Sequence, residues 1–181
     1  MGIHNDVEEI LFTEEQLAQI TARIAARINE DYKDKNLLLV SVLKGSLVFM
    51  ADLMRQITIP CAIDFLSVSS YGSDTSSSGE VRILKDLDQS LEGKDLLVVE
   101  DILDSGNTLS FLLKNLSARN PASIRLCTLL DKPERRKADV QADYIGAQVE
   151  DKFIIGYGLD YAELYRNLPY IGVLKPEIYQ D

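Results

Sequence analysis

The densest polar cluster of the chain is an apolar run that ends in carboxylates and continues into a hydroxyl- and glycine-rich turn: KDLLVVEDILDSGNTLSFLLKNL, residues 94–116. A strand through LLVV (96–99) delivers Glu100 and Asp101, a short turn carries Asp104, and Ser105, Gly106, Asn107 and Thr108 open a helix. In an open parallel sheet, ligands bind just beyond the carboxyl ends of strands, and the first-turn amides of the following helix are unpaired donors suited to a phosphate. Gly106 lets the backbone approach such an anion closely, and Ser105 and Thr108 add hydroxyl donors. The three carboxylates would repel a bare phosphate, so the ligand must also bring hydroxyls or a hard cation such as Mg²⁺. The plainer alternative makes Asp104 or Ser105 a helix cap and leaves the acids solvated. Against it, an acidic pair at the end of a buried strand is costly without a partner.

The elements that must hold this cluster follow from patterning. Short, nearly all-apolar runs, LLLVSVL (37–43), AIDFLSVS (62–69), LLVV (96–99) and IRLCTLL (124–130), alternate with amphipathic segments at 46–56 and 106–118. Continuous apolar strands separated by helices predict a parallel sheet covered on both faces. Before them, Thr13 and Gln16 form a capping box, Phe12 can staple against Leu17, and Leu17, Ile20, Ile24 and Ile28 share one face, which predicts a helix over Glu14 to Glu30. YGSDTSSSG (71–79) has no apolar face and reads as a long loop, followed by an edge strand in VRILKDL. After Asp139, YIGAQV, KFIIGY and YIGVL, joined by GLDYAELYRNLP, predict short strands of a small subdomain packed on one end of the sheet.

A length of 181 residues with 46% hydrophobic composition suits one domain and rules out two large ones. Lys and Arg number 19 against 29 Asp and Glu, a formal charge of -10, which argues against nucleic-acid binding. Cys61 and Cys127 sit in apolar runs and read as small core residues in a reducing, cytoplasmic setting. The longest apolar region, Leu37 to Met54, is cut by Lys44 and Asp52, so no membrane span is expected, and MGIHNDVEEI has no signal-peptide pattern. His4, the single histidine, lies in an N-terminus expected to fray, which disfavours histidine acid–base catalysis.

VVEDILDSGNTL (98–109) resembles the signature by which phosphoribosyltransferases bind 5-phosphoribosyl 1-pyrophosphate. With VLKGSLVFMADL (42–53), SSYGSDTSSSGEV (69–81), LLDKPERR (129–136) and FIIGYGLDYAELYRNLPYIGVL (153–174), the chain is similar to the hypoxanthine-guanine branch of that family from about Leu37 to Leu174. The resemblance implies an α/β protein of the type I phosphoribosyltransferase fold. A central, mostly parallel sheet flanked by helices (core about 36–150) would carry a small hood formed by the N-terminal segment and about 151–181.

It also implies roles. The loop from Asp104 through Ser105, Gly106 and Asn107 to Thr108 would hold a 5'-phosphate, with the Asn107 side chain toward solvent. Glu100 and Asp101 would lie beside the ribose hydroxyls where Mg²⁺ binds, with Asp160 as a further metal ligand. Asp104 would sit near purine N7 as general base. Lys44 and Gly45 match a pyrophosphate-binding turn that carries a non-proline cis peptide in such enzymes, and Arg166 matches a pyrophosphate-contacting arginine. Lys132 would donate to an exocyclic purine oxygen, Phe153 would stack on the base and Ile154 would offer backbone groups to its edge. Ser70 and Tyr71 would begin a mobile lid reaching Gly79.

The activity implied is Mg²⁺-dependent transfer of the phosphoribosyl group to hypoxanthine or guanine in purine salvage, by a homodimer or homotetramer acting on small molecules, with neither nucleic acid nor membrane as partner. Transfer to another base, such as xanthine, adenine or a pyrimidine, and an RNA-binding regulator of the same fold are the alternatives. The acidic balance argues against the second.

Overall fold

A computed structural model describes residues 2–70 and 81–180. The lid expected over Ser70 to Gly79 therefore lies outside the described residues, apart from the backbone of Ser70. Six strands form the main sheet: β2 (Leu37–Leu43), β3 (Cys61–Ser70), β4 (Val81–Lys85), β5 (Asp95–Leu103), β6 (Ser123–Asp131) and β7 (Tyr144–Gln148), in the order β4-β3-β2-β5-β6-β7. All neighbours are parallel except the edge strand β4, which runs antiparallel to β3.

The strands are apolar throughout because both faces are covered. Along β2 and β5, Leu37, Leu39, Leu97 and Val99 point to the side occupied by α1 (Glu14–Asp31) and α2 (Leu47–Met54). Leu38, Val40, Leu96 and Val98 point to the other, against Leu109, Leu112 and Leu116 of α3 (Asn107–Ser117). That is the two-residue period of a strand with a core on each face. α1 starts at the expected capping box: the Thr13 hydroxyl accepts from the Gln16 amide at 3.3 Å, and the Gln16 side chain accepts from the Thr13 amide at 2.9 Å.

A second sheet of three antiparallel strands has the order β1-β9-β8, with β1 (Val7–Phe12), β8 (Ile154–Ile155) and β9 (Ile171–Leu174). Ile154 and Ile171 join the core beneath α1 and α2, whereas Ile155, Leu168 and Leu174 form a cluster with partly buried residues of the short C-terminal helix α4 (Pro176–Tyr179). The N-terminus is not frayed as expected: residues Ile3–Asp6 form a 3-10 turn, β1 pairs with β9, and exposed His4 hydrogen-bonds through Nδ1 to the Tyr170 hydroxyl at 2.7 Å. Of the two cysteines only Cys127 is in the core; Cys61, the first residue of β3, is exposed. Among the described residues no helix is long and apolar enough to cross a membrane.

Three adjacent parallel strands end on one rim. β2 runs into Lys44, β5 into Asp104 and β6 into Lys132, so residues far apart in sequence meet beyond the carboxyl ends of the sheet.

Candidate active site

β5 continues two residues beyond the acidic pair, to Leu103, before the turn begins. Gly106, the N-cap of α3, has φ +80°, a conformation open to glycine at little cost. A Cβ there would lie 3.1 Å from the Arg136 side chain, a tight contact. The first helical hydrogen bond of α3 is Ser110 N–H to Gly106 O (2.8 Å), which leaves the Thr108 and Leu109 amides ahead of it without an intrahelical acceptor. The Asn107 amide reaches Ser105 Oγ at 3.4 Å, and the Asn107 side chain is exposed, as expected.

The loop is braced from outside by residues 136–140. Arg136 donates from Nε to Asp104 O (3.0 Å) and from Nη1 to Val140 O (2.7 Å), and pairs with the buried Asp131 carboxylate. Ser105 O accepts from the amides of Lys137 and Ala138 at 2.9 and 3.0 Å. Arg136 had no part in the sequence reading, because the loop carbonyls of Leu103 and Asp104 that it braces lie more than thirty residues away.

Across the rim, the Leu43–Lys44 peptide is cis. A Cβ on Gly45 would lie 1.8 Å from Asp101 Oδ2, and one on Gly158, at φ +101°, would lie 2.1 Å from Gly45 O. These two glycines let the Lys44 turn, the Asp101 carboxylate and the segment 156–166 meet. In that segment Arg166 donates from Nη1 to Gly158 O (2.8 Å), while its Nη2 is 3.0 Å from Asp160 Oδ1 and 3.3 Å from Glu163 Oε1. Glu163 Oε2 is also 2.5 Å from Lys44 Nζ, and Lys44 holds the Glu163 carboxyl below its usual range.

On the same rim lies a cleft of about 540 Å³. It brings together Asp101, Asp104, Lys132, Phe153, Ile154 and Asp160, and adds Arg135, Asp151 and Tyr179, which the sequence reading did not include. Lys132 is 8% exposed, unlike the solvated lysine that DKPERR alone would suggest; its ammonium donates to Lys152 O at 2.7 Å and lies 3.5 Å from Asp151 Oδ1. Arg135 ties Asp104 to the same corner, with Nε 2.8 Å from Asp104 Oδ1 and Nη1 donating to Asp151 Oδ1 at 3.1 Å. The Phe153 ring is half open to solvent and stacks on Tyr179, with centroids 4.7 Å apart and planes 24° from parallel. Ile154 is buried and pairs with Val173 in the small sheet. No motif marks Tyr179, whose position follows from the packing of α4.

Burial and the neighbouring Asp101 carboxylate push the Glu100 carboxyl well above the usual carboxylate range. The three expected metal ligands are not gathered into one cage: among the described residues no three acidic, histidine or cysteine side chains form a metal-sized group. Asp101 and Asp160 line the cleft, while Glu100 is set back from it along β5. Hard carboxylate donors from two separate elements fit Mg²⁺, which commonly takes one or two carboxylates and completes its shell with water and substrate phosphate oxygens. Tyr71 lies outside the described residues, as does the side chain of Ser70.

This geometry, an open helix start and a cis-peptide turn on the carboxyl rim of one parallel sheet, has known counterparts. A model of the phosphoribosyl transferase domain matches residues 7–162. The chain belongs to the phosphoribosyltransferase family. It is 51% identical over 179 residues to a hypoxanthine-guanine phosphoribosyltransferase of Staphylococcus aureus, covering 99% of this chain and 100% of that one. It is 53% identical over 177 residues to the enzyme of that name from Bacillus subtilis, covering 98% of each. A crystal structure of a hypoxanthine phosphoribosyltransferase from Staphylococcus aureus superimposes with a TM-score of 0.96 at 51% identity, over 99% of this chain and 97% of that one. The mixed, mostly parallel sheet flanked by helices is thus the type I phosphoribosyltransferase fold.

Proposed function

We propose that the chain transfers the 5-phosphoribosyl group of 5-phosphoribosyl 1-pyrophosphate to N9 of hypoxanthine or guanine, releasing pyrophosphate and IMP or GMP. The observation that carries this reading is one cleft holding Asp104, Lys132 and Phe153 directly beside the open helix start of α3. The free amides of the Asp104–Thr108 loop, with the Ser105 and Thr108 hydroxyls, bind the 5'-phosphate. The Lys44–Gly45 turn and Arg166 hold the pyrophosphate.

Phe153 stacks on the base, Ile154 offers backbone groups to its edge, and the Lys132 ammonium donates to the 6-oxygen. Lys132 is already fixed by Lys152 O, so little side-chain freedom remains to be lost when the base binds. Asp104 takes or shares the purine proton beside N7 as the glycosidic bond forms. Mg²⁺ held by Asp101 and Asp160, beside Glu100, would neutralise charge on the departing pyrophosphate. The small sheet β1-β9-β8 with α4 acts as the hood that carries the base wall. Ser70 and Tyr71 begin a lid that keeps water from the reacting sugar. The protein works in the cytoplasm as a homodimer or homotetramer.

A panel of bases tests this. Hypoxanthine and guanine should release pyrophosphate far faster than adenine, because Lys132 can donate to a 6-oxo group but not to a 6-amino group. Equal or better use of adenine, xanthine or a pyrimidine would overturn the assignment.

A further inference from the structure

Lys44 and Arg166 approach the pyrophosphate site from two different loops, and one carboxylate already bridges them. Glu163 Oε2 is 2.5 Å from Lys44 Nζ, and Oε1 is 3.3 Å from Arg166 Nη2. Two oxygens of one anion, each on a different cation, are the arrangement that a phosphate group of the substrate would adopt there.

The carboxylate is held at this spot by backbone. Ala162 and Glu163 both have positive φ, +50° and +66°, in a region uncommon for residues with a Cβ, and the Glu163 amide donates to Asp160 Oδ2 at 2.9 Å. The side chain itself is loosely kept. It is 63% exposed, and Lys44 is 65% exposed, so the contact is screened and can open into solvent without burying a charge. Arg166 is more enclosed, and its Nε is buried without a partner, so this guanidinium has a donor that Glu163 does not satisfy.

We infer that Glu163 is an internal stand-in for pyrophosphate: its carboxylate bridges Lys44 and Arg166 while the site is free, swings out when substrate enters, and returns as pyrophosphate leaves. The inference rests on the pyrophosphate reading of Lys44 and Arg166 and adds Glu163 as a positioning residue for that subsite. A competitor within the chain weakens pyrophosphate binding and favours its release. Removing the negative charge should therefore tighten binding, whereas a residue that merely braces the turn would loosen it when removed.

The test is calorimetric titration of pyrophosphate into the full-length protein at fixed Mg²⁺, for the unsubstituted chain and for Glu163→Gln, with thermal melts to confirm folding. Glu163→Gln should lower the Kd roughly two- to fivefold, the scale of an exposed ion pair, and the gap should narrow as added salt screens it. In a Lys44→Met background the same substitution should lose most of its effect. Should the glutamine variant melt early, Glu163→Ala serves in its place with the same expectation. A Kd unchanged or raised by loss of the carboxylate overturns the stand-in role. If the unsubstituted protein fails to bind pyrophosphate at all, the reading of the subsite falls first and the stand-in falls with it.

Discussion

Replacing Arg136 by Met should destabilise the protein severely and weaken sugar-phosphate binding, although Arg136 does not line the cleft. Its guanidinium satisfies the carbonyls of Asp104 and Val140, reaches Leu103 O at 3.4 Å, and pairs with Asp131, whose side chain is 7% exposed. Methionine fills similar apolar volume but leaves the Asp131 carboxylate buried and uncompensated. Breaking a buried pair in this way costs about 3–5 kcal/mol, a large share of the roughly 5–15 kcal/mol that holds a typical domain together. For a chain of this length each kcal/mol lowers Tm by about 2–4 °C, so the melt should shift by roughly 6–20 °C. Calorimetry on Arg136→Met, on Asp131→Asn and on the double variant separates the contributions. The double variant should recover much of the loss, because the uncompensated charge is gone, but KM for 5-phosphoribosyl 1-pyrophosphate should remain raised, because the loop carbonyls have still lost their brace. A single-variant shift below about 2 °C, the scale of an exposed ion pair, would refute the claim that this arginine holds the phosphate loop.

Asp104→Asn keeps shape and turn, so its melt should barely move while kcat with hypoxanthine falls about 10²- to 10⁴-fold. Retention of most of kcat would return Asp104 to a structural turn, and Thr108→Ala should by contrast act mainly on KM for the sugar phosphate. Treatment with EDTA should abolish turnover and Mg²⁺ restore it, since Asp101 and Asp160 present hard oxygen donors to a substrate carrying several negative charges; full activity in metal-free buffer would contradict this.

Much of the fold was legible because it is locally encoded. β2 coincides with LLLVSVL, and α1 begins at the Thr13–Gln16 box, since a strand buried on both faces and a reciprocal cap each leave their signature within a few residues. What escaped depends on distant partners. VEEILF has two exposed glutamates and no clean alternation, and it becomes a strand only because β9, some 160 residues later, offers an edge. Cys61 lies in an apolar run, yet as the first residue of β3 it sits at the opening of the strand, where the covering helices do not bury it.

The site divides along the same line. The helix start at Gly106 is spelled out by a dozen consecutive residues, so its open first turn could be read from spacing alone. Lys132 could not: in DKPERR it looks like any surface lysine, and it becomes a buried donor only because β6 carries it to Lys152 O on another element. Glu163 is still less visible. It stands among exposed residues of a turn, 119 positions from the lysine it contacts, and no motif sets it apart from a solvated acid. Its contacts come from closure, since Gly45 and Gly158 pack so tightly that the Lys44 turn and the Arg166 segment meet. The open helix start at one strand–helix junction is therefore readable from sequence, whereas the Lys44–Glu163–Arg166 contact is created when two glycines let two loops touch.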